Sequence, residues 1–211
     1  MSNGGMGGTK DRADRLKHRK PGQWSSVSSD FLYLASKLYK LSEKEVSTSI
    51  EGGTSKMVFA GIPVLLSSLS ALIIECEHIG VLTPPELDMK QPLPQLLKQR
   101  YGMSGELLKD FECLCEIRNE IVHPVPLPTG TKDGWPEYLR RVKDKLIAVE
   151  QPGGLFAQLA SHDLFTWALM VTQAAHKVVI YSFPHHGEML QFFLTTFANF
   201  APDPAPPAPR P

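Results

Sequence analysis

From Met57 to Ile74 the chain runs 18 residues without a charged side chain, and any fold it adopts must hide that segment from water. The length approaches the roughly 18–20 apolar residues that cross a bilayer. Gly61, Pro63, Ser67, Ser68 and Ser70 interrupt it, however, and Glu75 and Glu77 follow at once. The segment therefore reads as a buried core helix, not a membrane span.

Helical spacing dominates on both sides of it, and no strong period-2 strand appears. Asp30 is placed to cap a helix with Phe31, Leu34, Ala35, Leu38 and Leu41 on one face, ending before Gly52-Gly53. The apolar segment starts or kinks at Pro63 and runs to His78, before Gly80. A short helix spans Leu93 to Tyr101, and Ser104 can cap a long amphipathic helix that stops at His123. Pro124 sets that stop, because it disfavours helical geometry in the residue before it. A Pro/Gly loop from Pro124 to Gly134 follows, and Trp135-Pro136 opens a helix to about Val149. After Gln151-Pro152-Gly153-Gly154, Ser161 caps a helix through about Ser182, and a last helix covers about Glu188 to Phe200.

The expected fold is all-α, an irregular up-and-down helical bundle with extra helices and a loop insertion. With 211 residues the chain can bury one substantial core, so residues 26–200 are read as a single domain. Residues 1–25 form a Gly-, Ser- and charge-rich arm carrying the basic run Arg15-Leu16-Lys17-His18-Arg19-Lys20. Residues 201–211 form a Pro-rich tail, whose repeated prolines favour extended polyproline geometry.

Lys plus Arg equals Asp plus Glu at 22 each, so no global field draws the protein onto nucleic acid or an anionic membrane. Contact with RNA must then be local. Cys76, Cys113 and Cys115 suit neither a disulfide framework nor a zinc site, and the N-terminus lacks the apolar core of a signal peptide. A reducing cytoplasm is the expected compartment.

The helix from Ser104 to His123 carries the chemistry. With Arg118 as zero on a helical wheel, Leu107, Leu108, Phe111, Leu114, Cys115, Ile121 and Val122 fall within roughly 80° either side. Arg118 is thus centred on the apolar stripe, where a guanidinium needs a polar partner, a phosphate or a subunit interface. Glu112, Glu116, Asn119 and His123 gather roughly 100–160° around, on an adjoining polar face.

The sequence Cys115-Glu116-Ile117-Arg118-Asn119-Glu120-Ile121-Val122-His123-Pro124 resembles the signature of the HEPN superfamily (higher eukaryotes and prokaryotes nucleotide-binding), in which Arg and a polar residue are followed within a few positions by His. The detailed match spans about ten residues. Spacing alone is unspecific, since Arg12 and His18 lie in the arm at a similar separation, one residue wider; the Asn after Arg118, the apolar helix leading in and Pro124 after His123 distinguish this instance.

The resemblance implies a helical bundle, often a homodimer with two such motifs facing one another. Its four core helices correspond to residues 30–50, 55–79, 104–123 and 161–183. It further implies metal-independent endoribonuclease chemistry, in which the RNA 2′-hydroxyl attacks and a 2′,3′-cyclic phosphate is left, with no cofactor. On this pattern Arg118 binds phosphate and stabilises transition-state charge, His123 does acid-base or orienting work, and Asn119 positions groups. Glu116 and Glu120 are read as supporting residues. A defence, toxin or stress-response setting is expected, and an antitoxin or another protein partner is compatible with it.

Two readings compete. One is a non-catalytic helical interaction or scaffold module. The other is a di-iron carboxylate bundle, because Glu75-Cys76-Glu77-His78 and Glu120-Ile121-Val122-His123 each contain Glu-x-x-His. Both instances lie at helix ends, and Glu120 and His123 point away from the apolar stripe, so no metal is expected. His176, among Ala174, Ala175, Val178 and Val179, reads as a satisfied core histidine, and His185-His186 as a loop before the last helix.

Overall fold

The computed structural model describes residues 26–48, 54–78, 91–123, 136–147, 154–182 and 196–200. The basic arm, the Pro124–Gly134 loop, His185-His186 and the Pro-rich tail lie outside the described residues. Among the described residues the fold is all-α, with helices α1 (Val27–Thr48), α2 (Met57–His78), α3 (Leu93–Tyr101), α4 (Gly105–Val122), α5 (Glu137–Arg141), α6 (Gly154–Leu159) and α7 (His162–Tyr181). Single 3-10 turns cover Lys143–Lys145 and Ala198–Phe200, and one isolated antiparallel bridge joins Thr54 to Ser161.

The uncharged segment is α2, long and apolar enough by composition to span a bilayer. It is packed by neighbours: Val58, Ile62, Leu65, Leu69, Ile73 and Cys76 are completely buried. α1 makes its most extensive contact along α2, α7 packs against α2 as well, and α4 lies mainly on α7. Pro63 falls inside α2, and the helix continues through it. The close α2–α7 approach depends on Gly61, because a Cβ there would fall 2.0 Å from Cζ of the fully buried Phe165.

α1 departs from its expected orientation. It begins at Val27, so Asp30 sits in the first turn and not at the cap. Ser26 is the cap, its Oγ accepting from the Ser29 N–H at 3.2 Å, and α2 adds to it: the Glu75 carboxylate accepts from the Ser28 backbone N–H at 3.0 Å, from Ser28 Oγ at 2.5 Å and from Ser26 Oγ at 3.1 Å. The buried face is Ser28, Leu32, Ala35, Ser36 and Ser42, whereas Leu34 and Leu41 of the expected face are exposed. Small side chains let α1 lie close on α2, and that proximity outweighs the larger apolar area of the other face. Tyr39 pins the far end to α7, with its ring 5.4 Å from Phe165 and its hydroxyl 3.0 Å from Thr166 Oγ1.

Other boundaries follow local hydrogen bonding. Gly102, at φ 69°, closes α3 in the left-handed conformation that glycine adopts without strain. Ser161 caps α7 by accepting from the Leu164 N–H, but Ser104 at the head of α4 makes no side-chain cap bond. The helix expected to reach Val149 ends at Arg141; Val142 leaves helical geometry, the 3-10 turn follows, and from Leu146 the chain is extended, with Ile147 donating its N–H to the Gln158 carbonyl. α6 begins at Gly154, within the Pro/Gly break. Of the last expected helix only residues 196–200 are described, ending in the 3-10 turn against α1.

His176 is a buried core residue. A carbonyl can only accept, so Nδ1 carries the proton and donates to the Thr172 carbonyl at 2.8 Å, while Nε2 lies 3.3 Å from Ser68 Oγ on α2. Burial lowers its pKa to about 4.

Candidate functional site

α4 presents the motif residues at its C-terminal end. Its buried row Leu108, Phe111, Leu114 and Ile117 steps by three residues. Each such step falls roughly 60° short of a full circle, so the contact line winds around the helix. By the last turn it runs through Ile117, and Arg118 is left at its edge, partly exposed, not at the centre of an apolar stripe. Val122, 42% exposed, leaves the core with it.

Arg118 Nη1 donates to Oδ1 of Asn119 at 3.0 Å, and no carboxylate pairs with Arg118 among the described residues. Its neighbours in α5 behave otherwise: Arg140 pairs with Glu137 at 2.8 Å, and Arg141 holds Glu106 and Asp110 at 2.6 Å each. His123 is the C-cap, with φ −131° and ψ 67°, as the following proline favours. Its N–H donates to the Asn119 carbonyl at 2.7 Å, and its imidazole is exposed. Asn119 is therefore joined to Arg118 through its side chain and to His123 through its main chain. Five residues on an α-helix separate Arg118 and His123 by roughly 7.5 Å along the axis and about 140° around it.

Glu120 is held by a residue that carried no sequence signal. Tyr138 of α5 donates its hydroxyl to Glu120 Oε1 at 2.9 Å, and burial, then this bond, raises the tyrosine pKa. Cys113 Sγ donates to the Tyr138 carbonyl at 3.2 Å, and the Arg141 pairs fix α5 across the start of α4. Arg141, then Lys109, hold the Glu106 carboxyl down to about 2. Glu116 is exposed on the face shared with His123. Burial pushes the Cys113 and Cys115 thiols up to about 12, so neither is a ready thiolate nucleophile.

The carboxylates of the di-iron reading are turned to other partners. Glu75 caps α1 and Glu120 accepts from Tyr138. Among the described residues no three His, Cys, Asp or Glu side chains converge on a metal-sized site; the side chains of Glu77 and His78 lie outside the described residues.

Comparison of the chain with protein-family models, curated proteins and solved structures finds no match. The class the fold and this helix end define, among the described residues, is an all-α bundle presenting an arginine, an asparagine and a histidine at one helix end.

Proposed function

We propose that the chain is a metal-independent endoribonuclease of HEPN type, cutting RNA to a 2′,3′-cyclic phosphate. The observation that carries this reading is the Arg118 guanidinium, held by a neutral amide instead of a carboxylate, at the same helix end as the exposed His123 imidazole. The cation keeps its charge available for a phosphodiester. In the reaction, a neutral His123 takes the proton of the RNA 2′-hydroxyl as that oxygen bonds to phosphorus. The P–O5′ bond breaks, and the 5′ oxygen leaves with a proton from the partner subunit's His123. Arg118 bears against the charge that builds on the phosphoryl oxygens, and Asn119 holds Arg118 in place. A homodimer with facing motifs supplies both imidazoles. The cytoplasm and a defence, toxin or stress-response role go with this reading.

The test is cleavage of single-stranded RNA in EDTA, with the 3′ ends of the products analysed for cyclic phosphate. Arg118→Ala and His123→Ala are each expected to slow cleavage by about 100-fold or more while the circular dichroism melt stays unchanged. Cleavage at the wild-type rate in both variants refutes the proposal.

One observation favours a second reading, a non-catalytic interaction module: Glu112 and Glu116 are exposed on the face beside Asn119 and repel a polyanion. It predicts that wild type and both variants bind one protein partner alike and that none cleaves RNA.

A further inference from the structure

Four of the seven large hydrophobic side chains exposed among the described residues lie on α1: Val27 (45%), Tyr33 (54%), Leu34 (46%) and Leu41 (50%). Val27, Leu34 and Leu41 recur every seven residues, and the partly buried Phe31 and Leu38 fall between them. The resulting spacing of four and three residues is that of a coiled-coil seam. This seam sits roughly 110° around α1 from the Ser28–Leu32–Ala35–Ser36–Ser42 face that packs into the bundle. α1 thus carries an apolar seam beside the small-residue face that the fold covers, and of the seam residues Leu38 also packs against the core.

The charges beside the seam identify what covers it. Asp30, Lys37 and Lys44 line its solvent side at seven-residue intervals, all exposed. Lys37 lies over its own Tyr33 ring at 5.0 Å, while Asp30 and Lys44 have no ion-pair partner among the described residues. Asp30 and Lys44 each stand seven residues from Lys37. An antiparallel copy of the same helix, related by a two-fold axis near Lys37, brings every Asp30 against the other copy's Lys44, two opposite-charge pairs against the one like-charge meeting of Lys37 with Lys37 at the axis. It also sets Phe31 opposite Leu41 and Leu34 opposite Leu38. A parallel copy cannot use these pairs, because the positions on the seam's other flank, Ser28, Ala35 and Ser42, are buried against the bundle.

We infer that α1 pairs antiparallel with α1 of a second copy of this chain. This interface stands apart from any pairing of the Arg118 motifs, which close α4, so the inference does not rest on the ribonuclease reading.

Two experiments on the full chain test it. In sedimentation equilibrium, Asp30→Lys and Lys44→Asp singly are expected to weaken self-association by about tenfold, and the double exchange to restore it. Under mild oxidation Lys37→Cys is expected to give a disulfide-linked dimer, while Val27→Cys, far from the axis, does not. A wild-type chain that is monomeric, a double exchange no better than the singles, or cross-linking at neither or both cysteine positions overturns the inference.

Discussion

Replacing Gly61 by alanine adds one methyl group where α2 passes α7, and the structure sets its cost. The new Cβ would lie 2.0 Å from Phe165 Cζ and 2.5 and 2.7 Å from the two Cε atoms. Carbon atoms in good contact sit about 3.5–4.0 Å apart, so the ring or the helix must move by roughly 1.5 Å. Phe165 is fully buried and meets Tyr39 edge-on at 5.4 Å, so no free space receives it. Forcing a methylene into a packed core costs about 1–3 kcal/mol, and more where the clash is this short. Against that, alanine is favoured over glycine inside a helix by about 1 kcal/mol. The expected net loss is about 2 kcal/mol, read as a lower urea midpoint with unchanged slope and a drop in melting temperature of about 4–8 °C. Phe165→Leu, which shortens the obstructing side chain, should recover part of the loss when combined with Gly61→Ala, giving a coupling energy of about 1 kcal/mol or more. A neutral or stabilising Gly61→Ala refutes the close approach of the two helices.

Two further predictions concern buried polar groups. Because His176 titrates at about 4 when folded and at the ordinary 6.5 when unfolded, the unfolded chain binds the proton first as pH falls. Stability is therefore present above pH 6.5, is lost by roughly 3 kcal/mol as pH falls to about 4, and levels off below. Urea unfolding at several pH values should show that component in wild type and not in His176→Leu; identical pH profiles refute it. Glu75→Ala removes the acceptor for the Ser28 N–H and two hydroxyls, with an expected cost of about 1–2 kcal/mol. A loss below about 0.5 kcal/mol in the same assay means that the Ser26 cap holds the start of α1 without Glu75.

The all-α class was legible because helical periodicity is a local property, set by which side chains recur at 3.6-residue intervals. So were the stop at His123, dictated by Pro124, the capping of α7 by Ser161 and the burial of the uncharged α2. The motif at Arg118, Asn119 and His123 could be picked out for the same reason, since all three lie within one and a half turns of one helix. Which face of a helix is buried depended on its partners. α1 turns its small residues inward because they permit close contact with α2, a choice that hydrophobicity along α1 alone does not encode. Where Arg118 falls, at the edge of the core and not at its centre, depends on which neighbours cover each turn of α4: α7, α5, α2 and α3 all pack against it. Glu75 capping a helix 47 residues earlier and Tyr138 holding Glu120 are pairings across the bundle. The sequence by itself determined the all-α class and the placing of Arg118, Asn119 and His123 at the end of α4; tertiary packing decided which faces meet, because partner geometry is a property of two surfaces at once.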